Sequence, residues 1–127
     1  MKQLQIVQQQ NGELLILSLN GQLDAMTADD LLAVIHNVQR TEIKFVVFDL
    51  KGVSLVDSSG IGAMVSLLKH TRSKEGDTVV AHLDHQPKEV FRVLNLNRAI
   101  KIFETVDHAV QELAPGASLS TSKTVVS

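Results

Sequence analysis

Lys44 to Leu50, read Lys-Phe-Val-Val-Phe-Asp-Leu, limits the fold more than any other stretch. A strand with one wet face alternates apolar and polar residues. This one is almost continuously apolar and rich in β-branched and aromatic side chains, so it calls for cover on both faces. Sheets covered on both faces belong to α/β proteins, and the chain supplies the helices to cover one. Leu31, Val34, Ile35 and Val38 fall at i, i+3, i+4 and i+7. The same spacing returns in Ile61, Met64, Val65 and Leu68, within a helix predicted over Ser58–Ser73, and again in Val106, Ala109, Val110 and Leu113. Pro87 opens a further short helix reaching about Leu94, since proline suits a first turn.

Strands are expected at Leu4–Val7, Leu14–Leu19, Thr78–Leu83 and Ala99–Phe103. The first two are joined through Asn11-Gly12, a strong hairpin signal. The first strand is polar enough for a sheet edge; the second, nearly all apolar, suits the interior. The expected architecture is a single α/β domain, with a four- to five-stranded mixed sheet and about four helices, largely parallel after the opening hairpin. Gly21 should break the second strand. Thr27 is placed to cap the first helix, with Asp29 and Asp30 in its first turn, and Gly76 to stop the second. The domain is expected to occupy residues 1–114. Residues 115–127, opening with Pro115-Gly116 and then rich in Ser and Thr, are expected to form a disordered tail.

Several function classes fall away on composition. The chain has no Cys, which excludes disulfides, thiolate catalysis and Cys-based zinc sites. A net charge of -2 gives no footing for phosphate backbones or anionic membranes, and four Phe with no Trp or Tyr offer little for base stacking. No apolar run has the length of a membrane span or the form of a signal peptide, so a soluble cytoplasmic protein is expected.

Chemistry concentrates where the central strand gives way to the second helix, at Val53-Ser-Leu-Val-Asp-Ser-Ser-Gly-Ile-Gly62. Strand-to-helix junctions are where α/β proteins keep functional groups. Two readings fit Asp57-Ser58-Ser59-Gly60. In one, the Asp or Ser side chains cap the helix, and Gly60 and Gly62 permit close packing. In the other, a serine at the helix start accepts a phosphoryl group, which adds about -1.5 to -2 charges and three acceptor oxygens. A serine-hydrolase elbow is absent, because Val56 and Asp57 stand where glycine is needed two residues before Ser58 and Ser59. Gly60-Ile61-Gly62 lacks the third glycine of a dinucleotide loop, and there is no Gly-Lys-Ser/Thr. His82 and His85 flank Leu83-Asp84 but lack a convincing third ligand, so no metal or other cofactor is expected.

The string Asp57-Ser58-Ser59-Gly60-Ile61-Gly62 resembles that of the STAS family, named for sulfate transporters and anti-sigma factor antagonists. The likeness extends to Gly21-Gln22-Leu23-Asp24 with Thr27-Ala28, to Phe45–Leu50 with Val53, Leu55 and Asp57, and to Glu89-Val90-Phe91, Leu94 and Asn95-Leu96. Asn97 departs slightly from the family's pattern. In all it covers about Gln5 to Leu113.

The resemblance implies a non-enzymatic bacterial anti-anti-sigma regulator. Its unphosphorylated form would bind a GHKL-type serine kinase acting as anti-sigma factor. That kinase would phosphorylate Ser58 and so be released, and a PP2C-type phosphatase would restore binding. Asp24, Asp57, Ser58, Ser59 and Gly60 would form the partner surface. Two other readings are open: a non-switching module docking on an ABC-transporter ATPase or a stress-signalling scaffold, and a small nucleotide-binding domain, for which there is no motif.

Overall fold

The computed structural model describes residues 4–116 and 123–125. Its elements are β1 (Leu4–Asn11), β2 (Leu14–Leu23), α1 (Ala28–Val38), β3 (Phe45–Val56), α2 (Ser58–Ser73), β4 (Asp77–Ala81), α3 (His85–Val93), a 3-10 turn at Leu96–Arg98, β5 (Ile102–Phe103), α4 (Val106–Leu113) and β6 (Lys123–Val125). The sheet order is β5-β4-β3-β2-β1-β6. β1 and β2 form the expected antiparallel hairpin, and β2 through β5 run parallel. This is the mixed α/β sheet that the sequence pattern predicts.

The continuous hydrophobicity of β3 has a direct cause. Val46, Phe48 and Leu50 point into a core shared with Leu31, Val34, Ile35 and Val38 of α1, Met64 and Leu67 of α2 and Phe91 of α3. Val47, between them, points to the opposite face and packs with Leu14, Ile16, Val79 and the Ala109–Val110 pair of α4. Because successive side chains alternate faces, a strand between two cores is apolar at consecutive positions, as in Phe45–Phe48. β2 is divided in the same way, with Leu15, Leu17 and Leu19 on one side and Leu14 and Ile16 on the other.

Four local expectations are corrected. Gly21 does not end β2. The strand continues to Leu23, with register shifts between Ser18 and Asn20 and between Gly21 and Gln22, because pairing with β3 outweighs the weak strand propensity of Asn20-Gly21. β3 likewise runs past Leu50 and Gly52 to Val56. Gly76 is not the left-handed residue that closes α2. Glu75 takes that conformation (φ 65°), and Gly76 N–H then donates to the Thr71 carbonyl at 2.8 Å, a Schellman-type end. Finally, Lys123–Val125 pairs antiparallel with Val7–Gln9. Three residues of the tail expected to be disordered thus form a short strand, and β1 is not the edge. The physical reason is the row of unpaired N–H and C=O groups that β1 would otherwise present. The rest of that tail, beyond Gly116, lies outside the described residues.

Among the described residues, no helix is long and apolar enough to cross a membrane. On α2, His70 Nε2 is buried and has no hydrogen-bond partner among the described residues. Burial foremost, and then the charge of Lys74, holds the His70 pKa below its ordinary 6.5. The folded chain therefore takes up a proton here less readily than the unfolded chain does. The stability tied to this site is present above about pH 6.5 and is lost as the pH falls below it. Denaturant midpoints measured between pH 8 and pH 5 should decline on acidification, and a His70→Gln chain should decline less steeply. Equal slopes for the two proteins would exclude His70 as a source.

Candidate functional site

The site is built by register. Leu23, the last residue of β2, pairs with Val56, the last of β3. The β2–α1 loop and the β3–α2 junction therefore leave the sheet side by side at its carboxyl end. The Asp57 N–H donates to the Leu23 carbonyl at 3.1 Å and carries the pairing one residue further. Past Asp49, β3 has no pairing with β4. There the side chain of Gln86 on α3 takes the place of a strand: its amide NH2 donates to the Val56 carbonyl at 3.0 Å, and its oxygen accepts from the Val56 N–H at 2.9 Å.

Asp57 is extended (φ -120°, ψ -174°) and caps α2. Its Oδ1 accepts from the N–H groups of Ser59 (2.9 Å) and Gly60 (3.2 Å). Its Oδ2 accepts from the Ala25 N–H in the neighbouring loop at 3.2 Å. One carboxylate thus satisfies two orphan amides of the helix and ties the two loops together. Asp57 is the cap, while Ser58 and Ser59, the first two residues of α2, are exposed and make no hydrogen bond through their hydroxyls among the described residues.

Gly60 is buried beneath them. A Cβ there would lie 2.5 Å from Leu23 Cγ and 2.7 Å from the Leu23 carbonyl oxygen, so only glycine lets the first turn of α2 sit on the end of β2. Gly62 does not share this role; a Cβ on it would meet nothing within 4 Å.

The facing loop is equally fixed. The Asp24 carboxylate accepts from the Met26 N–H at 2.9 Å, and its carbonyl accepts from Thr27 N–H (3.1 Å) and Ala28 N–H (2.8 Å). Thr27 stands at the N-cap of α1, but its side chain makes no cap hydrogen bond. Buried at 4% exposure, it braces the loop instead: Oγ1 donates to the Gln22 carbonyl at 2.7 Å and accepts from the Asp24 N–H at 3.0 Å. Asp24, Asp57, Ser58, Ser59 and Gly60 are therefore brought together. The brace at Thr27 and the clamp at Gln86 are not identifiable from sequence pattern. An Asp followed three residues later by Thr was the one available hint of a closed turn.

His82 and His85 lie elsewhere. They line a separate cleft of about 750 Å3 with Phe91, Arg92, Asn95 and Phe103. Among the described residues, no group of three His, Asp or Glu side chains is placed to hold a metal.

Known proteins share both the sequence and the architecture. An anti-sigma F factor antagonist of Paenibacillus polymyxa is 30% identical over 111 residues, covering 87% of this chain and 92% of the relative. The structure of the anti-sigma factor antagonist SpoIIAA in its unphosphorylated form superposes with a TM-score of 0.75 at 18% identity, over 84% of this chain and 94% of that one. The Bacillus cell fate determinant SpoIIAA in its phosphorylated form gives 0.68 at 18% identity, over 84% and 97%. At such identities the structures speak for the fold alone. The sequence profile of the STAS domain matches residues 5–109, which include every element from the β1–β2 hairpin to the first half of α4 and the whole Asp57–Ser58 rim, and the chain belongs to the STAS domain family.

Proposed function

We propose that this protein is an anti-sigma factor antagonist that works by partner switching. The unphosphorylated rim formed by Asp24, Asp57, Ser58, Ser59 and Gly60 binds an anti-sigma factor that is also a GHKL-type serine kinase. Phosphorylation of Ser58 releases that kinase, and a PP2C-type phosphatase resets the cycle in the cytoplasm. The protein is a substrate and a binding partner, not a catalyst. The relative from Paenibacillus polymyxa, named an anti-sigma F factor antagonist and aligned over nearly its whole length, supports this reading.

The observation that carries the proposal is the exposed Ser58 hydroxyl beside a carboxylate already in use. The Ser59 and Gly60 amides are bound by Asp57, so they are not free to receive a phosphate on Ser58. The new charge has to project toward whatever covers the rim. It stands next to Asp57 and is only partly offset by the α2 dipole. Such a group disrupts a complementary interface and leaves the fold intact.

Each purified serine-kinase anti-sigma factor encoded by the source genome is the partner to test. Incubation with ATP should place one phosphate on Ser58, read by mass spectrometry. Ser58→Ala should bind with wild-type affinity, and Ser58→Asp should bind about 10- to 100-fold more weakly, the range that a like-charge clash of roughly 1.4–3 kcal/mol gives. Phosphate found on Ser59 and never on Ser58, or wild-type affinity in Ser58→Asp, would sink the proposal.

A further inference from the structure

Two residues beside Ser58 carry costs that nothing among the described residues explains. The first is Met26, at 83% the most exposed large apolar side chain among the described residues. Single exposed apolar residues are ordinary on protein surfaces. Met26 differs in the backbone that carries it, which is pinned at three successive amides. Its N–H is held by the Asp24 carboxylate, the preceding Ala25 N–H by Asp57, and the following Thr27 N–H by the Asp24 carbonyl. The loop presents this side chain outward as a knob on a fixed backbone.

The second is Gly62. It lies inside α2, is exposed, and has no positive φ. A Cβ there would meet nothing within 4 Å. A glycine in a helix interior weakens the helix relative to alanine, so it is normally kept for a turn, a close approach or a left-handed backbone. Gly60, two residues earlier, has such a reason; Gly62 has none among the described residues. It is four residues beyond Ser58 and so on the same side of the helix, one turn on. Departures from local rules without an internal compensation mark surfaces shaped by something external.

Asp57 makes these two features one surface. Its carboxylate holds the first turn of α2 and the amide next to Met26 at once, so the knob, Ser58 and the bare helix backbone at Gly62 keep a fixed relation. We infer that Met26 and Gly62 are part of the footprint of the anti-sigma factor, Met26 filling an apolar pocket on that partner while partner backbone or side chain packs directly against α2 at Gly62. The inference rests on the antagonist reading above and deepens it. Ser58 decides when the partner binds; Met26 contributes affinity and selects among partners by pocket shape. Methionine suits this role, being apolar and adaptable in shape.

The test uses the full chain and the same purified serine-kinase anti-sigma factors, with affinity and thermal midpoint measured together. Met26→Ala should keep the wild-type midpoint and bind about 10- to 100-fold more weakly, the range expected when a buried methionine is lost from an interface. Gly62→Ala should raise the midpoint by about 2–5 °C and still bind at least about tenfold more weakly. A more stable protein that binds less well cannot be explained by damage to the fold. Methyl labelling adds a direct view of contact: the Met26 signal should shift when partner is added, while that of Met64, fully buried in the core, should not. Wild-type affinity in either variant, with Ser58→Asp still released, overturns this footprint and leaves the switch standing. A wild-type chain that binds none of the kinases overturns the antagonist reading, and the footprint with it.

Discussion

Replacing Gly76 by alanine is expected to cost about 3 kcal/mol or more of folding stability and to lower the thermal midpoint by roughly 10 °C. The α2–β4 connection leaves little choice. Gly76 N–H closes the helix on the Thr71 carbonyl, and the next amide, Asp77 N–H, donates to the Lys44 carbonyl at 3.0 Å to begin pairing with β3. In making both bonds, the Gly76 α-carbon is pressed against the residue that precedes β3. An added Cβ would lie 1.7 Å from the Lys44 carbonyl oxygen and 2.6 Å from its carbon. Those are backbone atoms and cannot rotate aside. Relief requires β4 to move away from β3, at the centre of the sheet where Val79 and Val80 are fully buried. Thermal unfolding followed by circular dichroism measures the loss. A midpoint within a degree or two of wild type would mean that the approach is looser than the structure gives.

Gly60→Ala is the second large effect, and it reaches function. Alanine is the better helix former by about 1 kcal/mol, so at an open position this change would stabilise α2. At Gly60 the new methyl meets the Leu23 side chain, which can yield, and the Leu23 carbonyl at 2.7 Å, which cannot. The steric term should win, with a net loss of about 2 kcal/mol. The first turn must lift, and the lift pulls on the Asp57 bonds to Ser59, Gly60 and Ala25. The variant should be both less stable and a poorer kinase substrate at Ser58, because the serine no longer sits at a fixed position. Denaturant unfolding gives the first quantity, and the phosphorylation rate at saturating ATP the second. Gly62→Ala serves as the comparison. The same substitution two residues on is expected to raise stability, so opposite signs in the pair isolate packing from propensity.

Much of the architecture was legible because it is written locally. The 3.6-residue spacing of Leu31, Val34, Ile35 and Val38 requires no knowledge of the partner surface, and the α2 boundaries read from the sequence match those observed. The errors fall where a distant segment decides. Gly21 looks like a strand break and the central strand reads as ending at Leu50, and both strands are carried further by pairing between β2 and β3. Lys123–Val125 looks like tail and is drawn onto β1 by the unpaired edge there. Gly76 looks like a left-handed stop, yet its constraint is the carbonyl of a residue more than thirty positions earlier.

The sequence by itself determined the doubly covered central strand, the helices that cover it, and the presence of an acid and two hydroxyls at the start of the second helix. Each of these is a matter of residue type and short-range spacing. The tertiary structure alone decided how those groups divide their work. Leu23 had to pair with Val56 before Asp57 could reach Ala25 and tie the two loops into one rim. Only then are the amides of the first turn occupied, Ser58 left outward with its hydroxyl unbonded among the described residues, and Met26 exposed. Such contacts join residues about thirty positions apart. Their geometry comes from strand register, which no local periodicity records.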